Sequence, residues 1–145
     1  MVEKDFQSKF GKWLKEKEES NPIKPGVYEL KLEKGKSFAF GNVREDQIKS
    51  LLSAKYTGLY HKINDLPVYY GSKTRFASSK PFDCFYVKGI KAYLVIGFYT
   101  PRKKIETCII DIDKFIEIKD FYSKDNKKSV KKEYLIAQSD NFYLI

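Results

Sequence analysis

Apolar residues along this chain follow two spacings, and each spacing predicts a type of element. Near the N-terminus they recur every three or four positions, which predicts a helix over residues 2–19. Residues 27–32 instead alternate apolar and polar side chains, as in a strand with one buried face. A second helix is predicted over residues 44–55, where Ile48 and the leucines that follow it fall on one face.

Most of the remaining apolar runs are short and predict strands, over residues 58–63, 82–87, 92–99 and 107–112. The second and third of these should form a hairpin, because Lys88-Gly89 separates them. The spacing over residues 114–122 fits either a helix or a strand, and residues 133–145 end in a strand-like segment. Together these elements predict a single α/β domain over residues 1–145, with a mixed central sheet of about five or six strands flanked by helices.

The net charge of the chain indicates a class of binding partner. Its 145 residues include 28 lysines and arginines against 19 aspartates and glutamates, a formal net charge of +9. Such an excess attracts polyanions, which favours nucleic acid as a partner. The alternative is a lysine-rich surface that only keeps the protein hydrated. Basic side chains in predicted loops are the candidate phosphate contacts: Lys73, Arg75, Lys80, Arg102, Lys103 and Lys104.

Several classes of chemistry and location are disfavoured by the composition. A single histidine, His61, excludes a histidine-based metal cluster, and the scattered glycines form no phosphate-binding loop. Cys84 and Cys108 lie in apolar runs and are expected to be reduced. The charged N-terminus does not read as a secretory signal, and no apolar run approaches the length of a membrane span. The sequence therefore predicts a cytoplasmic protein with no membrane partner.

Chemistry based on acids and lysines remains, and one predicted strand holds a suitable pair. Metal-dependent cleavage of a phosphodiester needs carboxylates to hold Mg²⁺ and a cation near the attacked phosphate. Glu29 and Lys31 are two positions apart, so they share one strand face with backbones about 7 Å apart. The same acid-x-Lys spacing begins at Glu117 and Asp125. Only Glu29, however, is followed by a turn, a short extended segment and a helix that carries Gln47.

Three consecutive segments carry a family pattern: VYELKL at 27–32, KSFAF at 36–40 and EDQI at 45–48. In this order they resemble the PD-(D/E)XK nuclease superfamily, and most closely its RecU-like Holliday junction resolvases and related phage proteins. The resemblance extends over residues 27–113 through three later segments, YHKI at 60–63, KPFDCF at 80–85 and AYLVIGF at 92–98. It implies a restriction-endonuclease-like fold.

The resemblance also implies a role for each residue of the motif. Glu29 would bind Mg²⁺, or Mn²⁺ in its place, with the backbone carbonyl of Leu30 as a further ligand. Lys31 would orient the attacking water or stabilise charge on the phosphate. Gln47 would position substrate or water from the helix.

One member of the family pattern is missing from its usual place. The family's first acid precedes the Glu-x-Lys strand, and residues 21–28 contain no Asp or Glu. Asp83, in a Pro-Phe-Asp segment at the start of a predicted strand, is the best substitute, with a turn-capping role as an equal alternative. Glu3 and Asp65 are weaker candidates. If Asp83 acts with Glu29, the predicted strands that carry them should be neighbours in the sheet.

Three hypotheses on function follow from these observations. The first is a Mg²⁺-dependent DNA endonuclease, with a Holliday junction resolvase of DNA recombination and repair as its specific form. The second is a catalytically inactive relative that binds nucleic acid, and the third is an interaction protein whose charge is incidental. The first hypothesis predicts salt-sensitive binding to DNA, branched DNA included. It leaves a homodimer as an option, because resolvases that cut two strands are usually dimers.

Overall fold

A computed structural model of the protein describes residues 1–18, 25–62 and 84–145. The helices in these ranges are α1 (Glu3–Glu18), α2 (Glu45–Leu52), α3 (Ile112–Ser123) and α4 (Lys132–Gln138). The strands are β1 (Gly26–Glu33), β2 (Ser37–Ala39), β3 (Leu59–Lys62), β4 (Cys84–Val87), β5 (Lys91–Phe98), β6 (Glu106–Asp111), β7 (Ser129–Lys131) and β8 (Asn141–Leu144). A 3₁₀ turn (Phe40–Asn42) precedes α2, and a π-helical turn (Ser53–Thr57) continues it. None of the helices in these ranges combines the length and the apolar character needed to cross a membrane.

A mixed sheet of β1, β5, β6 and β8, in that order, forms the centre of the described part of the chain. β1 runs parallel to β5, with Glu29 opposite Leu94, and the other neighbouring strands are antiparallel. A parallel pair needs a crossover connection, and α2 lies in it. Two separate ribbons pair β2 with β7 and β3 with β4. The predicted α/β class with a helix-flanked mixed sheet is confirmed, although the central sheet described has four strands rather than five or six.

The two faces of the central sheet pack against different helices. On one face, Phe6, Phe10 and Trp13 of α1 pack against Val95 and Ile109. The other face holds a larger apolar cluster, to which α2 and α3 contribute Ile48, Leu51, Ile112, Phe115 and Ile118. The predicted apolar face of the first helix is thus confirmed over α1.

Alternation along β1 divides its side chains between these two faces. Tyr28 and Leu30 pack on the α1 side. Glu29 and Lys31 therefore lie on the α2 side, where Gln47 of α2 contacts Glu29. The predicted separation of polar and apolar side chains along this strand is confirmed, and the polar pair lies beside the larger apolar cluster.

Close approach between α1 and the sheet depends on a glycine in β5. A Cβ atom at Gly97 would lie 2.6 Å from Cζ of Phe6 and 3.0 Å from a methyl carbon of Ile105. Phe6 is completely buried, so its ring has little room to move away. The absence of a side chain at Gly97 therefore allows α1 to sit at its observed height above the sheet.

The predicted hairpin of residues 82–87 with residues 92–99 is wrong. β4 pairs with β3, with Tyr60 opposite Tyr86, whereas β5 lies between β1 and β6. Nearly all of Lys91–Phe98 is buried, which suits a central strand covered on both faces. The prediction that β1 and residues 82–87 form neighbouring strands is also wrong, because β5 occupies the position beside β1.

In the C-terminal third, the structure assigns one segment whose spacing fitted either a helix or a strand and corrects the predicted element of a second segment. Residues 114–122 are helical within α3, whose first turn is capped by Asp111: its carboxylate accepts the backbone N–H of Asp113 at 3.0 Å. Residues 133–145 hold both α4 and β8 rather than a strand alone, because Ser139 adopts extended backbone and ends the helix.

Candidate active site

Glu29 and Lys31 lie side by side on the face of β1 that α2 covers. Their side chains form an ion pair, with 3.1 Å between Nζ of Lys31 and Oε1 of Glu29. The acid-x-Lys sequence at Glu117 forms no such pair, because residues two apart on a helix do not face each other. Its lysine, Lys119, instead binds Glu45 at 2.6 Å. The side-chain contacts therefore distinguish the acid-x-Lys sequence at Glu29 from the one at Glu117, as the sequence context predicted.

Gln47, in the first turn of α2, joins this pair. Its Nε2 donates to Oε1 of Glu29 at 2.5 Å, and its Oε1 accepts the backbone N–H of Arg44 at 3.1 Å. The second bond caps the start of α2 and leaves the amide one orientation, in which its NH₂ group faces Glu29. Three of the four residues predicted to be catalytic thus converge on one carboxylate.

The two oxygens of this carboxylate have different surroundings. Oε1 accepts from both Gln47 and Lys31. No hydrogen bond from residues 1–18, 25–62 or 84–145 reaches Oε2. The side chain of Glu29 is 29% exposed, whereas that of Lys31 is 11% exposed. The carboxylate is therefore the accessible member of the pair, and its second oxygen is available to a cation.

A carboxylate oxygen is the type of ligand that Mg²⁺ prefers, and Mg²⁺ sites often combine one or two carboxylates with water and substrate phosphates. In the described part of the chain, no group of three or more His, Cys, Asp or Glu residues is arranged to hold a metal ion. Glu29 fits the role of a single protein anchor for such an ion. β1 is the outermost strand of the central sheet as described, so some of its carbonyls point away from β5. The Leu30 carbonyl as a further ligand stays a prediction.

Of the other acids predicted for the site, Glu3 is the one that lies within the described ranges. It is at the start of α1, which packs on the opposite face of the sheet from Glu29. The suggestion that Glu3 completes the site is therefore wrong, because the sheet separates the two side chains. Asp83 and Asp65 lie outside the described residues.

The predicted phosphate contacts divide in the same way. Three of them, Lys73, Arg75 and Lys80, lie outside the described residues, and the other three, Arg102, Lys103 and Lys104, are exposed in the turn between β5 and β6. This turn follows Phe98, which is four residues along β5 from the position opposite Glu29. At about 3.3 Å per residue, Phe98 lies about 13 Å along the strand from that position. The turn therefore lies beyond the end of β5 and not at Glu29 itself.

A second polar cluster, which the sequence did not predict, joins the π-helical turn to the start of α3. Nζ of Lys55 donates to Asp111 at 2.8 Å and to Asp113 at 2.5 Å, and the hydroxyl of Tyr56 donates to Asp113 at 2.5 Å. Burial opposes the charged form of Lys55, but its bonds to the two carboxylates outweigh burial and raise its pKa. Burial would also raise the pKa of Asp113, and its bonds to Lys55 and Tyr56 lower it instead.

The Lys55 cluster left almost no signal in the sequence. Lys55 and Asp111 are 56 residues apart, so no local spacing relates them. An aspartate directly before a helical run is the one cue, because it is a common helix cap. The cluster contains two carboxylates that share one ammonium, and it holds elements together instead of presenting an open ligand.

Comparisons with known proteins identify no family for this chain. No protein-family profile, no curated protein and no solved structure matches the chain. The observations that bear on function are therefore the arrangement of Glu29, Lys31 and Gln47 and the net charge of +9.

Proposed function

We propose that the protein is a metal-dependent endonuclease that acts on DNA, with Glu29, Lys31 and Gln47 in its active site. The observation that supports this most is their convergence: an ammonium and an amide lie 3.1 and 2.5 Å from the same carboxylate oxygen. A largely buried ion pair is a poor way to stabilise a fold, because desolvation offsets most of the attraction. A chemical role accounts better for a charged pair beside an apolar cluster.

Each side chain has a distinct task in this proposal. Glu29 would hold Mg²⁺ through Oε2, and the chemistry supplied at that position would be a lowered pKa for a bound water and neutralised charge on the phosphate. Lys31 fixes Oε1 and supplies positive charge next to the phosphate, where negative charge develops during attack. Gln47 restricts the carboxylate to one orientation, because its own amide is held by the cap of α2.

The substrate and the remaining groups follow from charge and from the family pattern. A net charge of +9 favours a long polyanion over a small phosphate ester. Asp83 is the proposed second acid, with Asp65 as the alternative. The exposed turn that contains Arg102 contributes flanking phosphate contacts. A four-way junction is the proposed specific substrate, and a homodimer would supply two such sites, one for each of the two strands that are cut.

The experiment that tests this proposal measures cutting and binding of the same DNA. Labelled duplex, single-stranded and four-way-junction DNA is incubated with Mg²⁺, Mn²⁺ or Ca²⁺, and products are separated on a denaturing gel. Mg²⁺ and Mn²⁺ should support cutting. Ca²⁺ should support binding with little cutting, because its looser coordination activates water poorly. Preferential cutting of the junction would support the resolvase form of the proposal.

Variants then assign the site. Glu29→Gln should abolish cutting and leave DNA binding nearly intact. Glu117→Gln is the matched control, because it makes the same charge change in an exposed acid-x-Lys sequence on α3. Lys31→Ala should slow cutting by about 10²–10³, the usual effect of losing one group that stabilises transition-state charge. If the Asp83→Asn variant cuts DNA at the wild-type rate, Asp83 is not a metal ligand.

The other two hypotheses predict different results in the same experiment. If the wild-type protein binds DNA but cuts no form of it with either Mg²⁺ or Mn²⁺, the endonuclease hypothesis is wrong. The hypothesis of a catalytically inactive nucleic-acid-binding protein then takes its place. Binding should weaken with salt, with a log–log slope of about 0.9 for each phosphate contacted. Protein that neither binds nor cuts would support the interaction protein.

A further inference from the structure

A groove lined by aromatic rings and lysines lies at the ribbon of β2 and β7, and none of its lining residues belongs to the candidate active site. Its volume is about 790 Å³, within the range of about 300–1,000 Å³ that is usual for ligand sites. The end of α3 contributes Tyr122, and the start of α4 contributes Glu133 and Tyr134. Lys127, Lys128 and Lys131 come from β7 and the turn before it.

The two tyrosines provide a fixed aromatic surface. Their rings meet edge to face, with 5.6 Å between centroids, and the ring of Tyr122 also packs against Phe40 at 6.0 Å. Tyr134 remains 37% exposed, and neighbouring Phe121 is 62% exposed. An aromatic ring that is held on one side and open on the other is suited to stacking against a planar group.

The lysines of the groove have no carboxylate partner in the described part of the chain, although the next lysine does. Lys132 binds Glu106 at 2.7 Å, whereas Lys127, Lys128 and Lys131 form no ion pair with a described residue. Nζ of Lys127 lies 5.7 Å from the ring centre of Tyr122, which places positive charge next to the aromatic surface.

Charge and stacking surface together select a class of ligand. Three lysines outnumber the carboxylate of Glu133 in the lining, so the groove attracts anions. A simple anion would use the lysines and leave the rings uncovered. A nucleic-acid strand offers both phosphates and planar bases, and its bases are open for stacking when the strand is not in a duplex.

We propose that this groove binds single-stranded nucleic acid, with a base stacked on Tyr134 and adjacent phosphates held by Lys127, Lys128 and Lys131. Binding here needs neither a metal nor Glu29, so it goes beyond the proposed endonuclease activity. Ser37, which also lines the groove, follows Lys31 by six residues, a stretch that spans at most about 21 Å. The groove and the Glu29–Lys31 pair are therefore close enough for one strand of DNA to span the distance between them.

Fluorescence anisotropy of labelled strands in EDTA tests the groove separately from catalysis. The probes are oligo(dT), oligo(rU), a duplex of mixed sequence, and inorganic polyphosphate as a competitor without bases. Tyr134→Leu, which retains apolar bulk, should weaken binding of both single strands by about tenfold and leave polyphosphate competition unchanged. Equal loss for the two strands would show that the groove accepts both, and unequal loss would identify the preferred strand.

Charge variants provide the matched control. Lys131→Gln should weaken single-strand binding and reduce the log–log salt slope by about 0.7, the value for one phosphate on a single strand. Lys124→Gln removes the same charge from the same segment but outside the groove, so it should have little effect. Glu133→Gln should tighten binding, because it removes the negative charge from the lining.

Two results would overturn the inference. One is single-strand affinity that Tyr134→Leu leaves unchanged while circular dichroism shows a folded variant. The other is an equal loss for Lys131→Gln and Lys124→Gln, which would mean that the whole surface binds diffusely. Absence of DNA cutting alongside groove-dependent binding would refute the endonuclease proposal alone.

Discussion

Replacing each member of the Glu29–Lys31 pair should cost unequal amounts of stability. Glu29→Met leaves the ammonium of Lys31 without its partner, in a side chain that is 11% exposed. Orphaning one charge of a fully buried pair costs about 3–5 kcal/mol, so this variant should approach the lower end of that range. Lys31→Met leaves a carboxylate that is 29% exposed and still bonded to Gln47. We expect it to cost about 1–2 kcal/mol.

The double variant should be more stable than the sum of these losses predicts. Methionine is unbranched like both residues it replaces, and it suits the neighbouring apolar cluster. With both charges absent no desolvation is left uncompensated, so the double variant should lie within about 1 kcal/mol of the wild type or above it. The resulting coupling energy should reach or exceed the upper end of the range of about 0.5–3 kcal/mol seen for contacting residues.

Urea unfolding at neutral pH measures all four proteins in this cycle. The single tryptophan, Trp13, is 9% exposed in the α1 face, so its fluorescence should report loss of tertiary packing. Equal losses for the two single variants would refute the argument from unequal burial. A double variant several kcal/mol less stable than the wild type would show that the pair serves the fold. It would also contradict the inference that stability does not account for the pair.

Other parts of the molecule give predictions that need no ligand. Gly97→Ala should lower the free energy of unfolding by about 1–3 kcal/mol in the same urea assay, because the ring of Phe6 must move; no change would mean that α1 is loosely seated. Asp113→Asn should be destabilising at neutral pH. Because the folded-state pKa of Asp113 is lowered, thermal melts should show that this loss is present above about pH 4 and shrinks as the pH falls through the folded pKa; a loss that persists in acid would argue against the ion pair. Burial raises the pKa of the Cys108 thiol to about 12, so a thiol reagent should label Cys84 alone in the native protein and both cysteines in urea.

The parts of the site that the sequence predicted are those fixed by local geometry. Alternation alone places Glu29 and Lys31 on one face of a strand, and this needs no knowledge of the strand's neighbours. The position of Gln47 follows from the start of a helix, where its side chain caps the turn and contacts Glu29. Such features depend on a few consecutive residues, so a pattern in the sequence can identify them.

Strand pairing was predicted wrongly from the sequence, because the partner of each strand depends on the whole sheet. Residues 82–87 and 92–99 have the spacing of a hairpin, yet β5 lies between two other strands and β4 pairs elsewhere. The continuous apolar run of β5 was a cue, since strands covered on both faces lack alternation. The Lys55 cluster depends on still more distant residues, and only the folded chain brings Lys55 to Asp111.

The crossover between β1 and β5 explains why a precise site can form at Glu29. α2 begins over β1, where Gln47 bonds to Glu29, and its continuation ends near β5, where the carbonyl of Ala54 accepts the N–H of Ile90 at 3.3 Å. Lys55 then fastens this end to the start of α3. The helix is therefore held at both ends, and so is the amide that orients the carboxylate. The proposed metal-dependent chemistry would tolerate errors of only about 0.5 Å in its ligands, which a helix anchored in this way can satisfy and a mobile loop cannot.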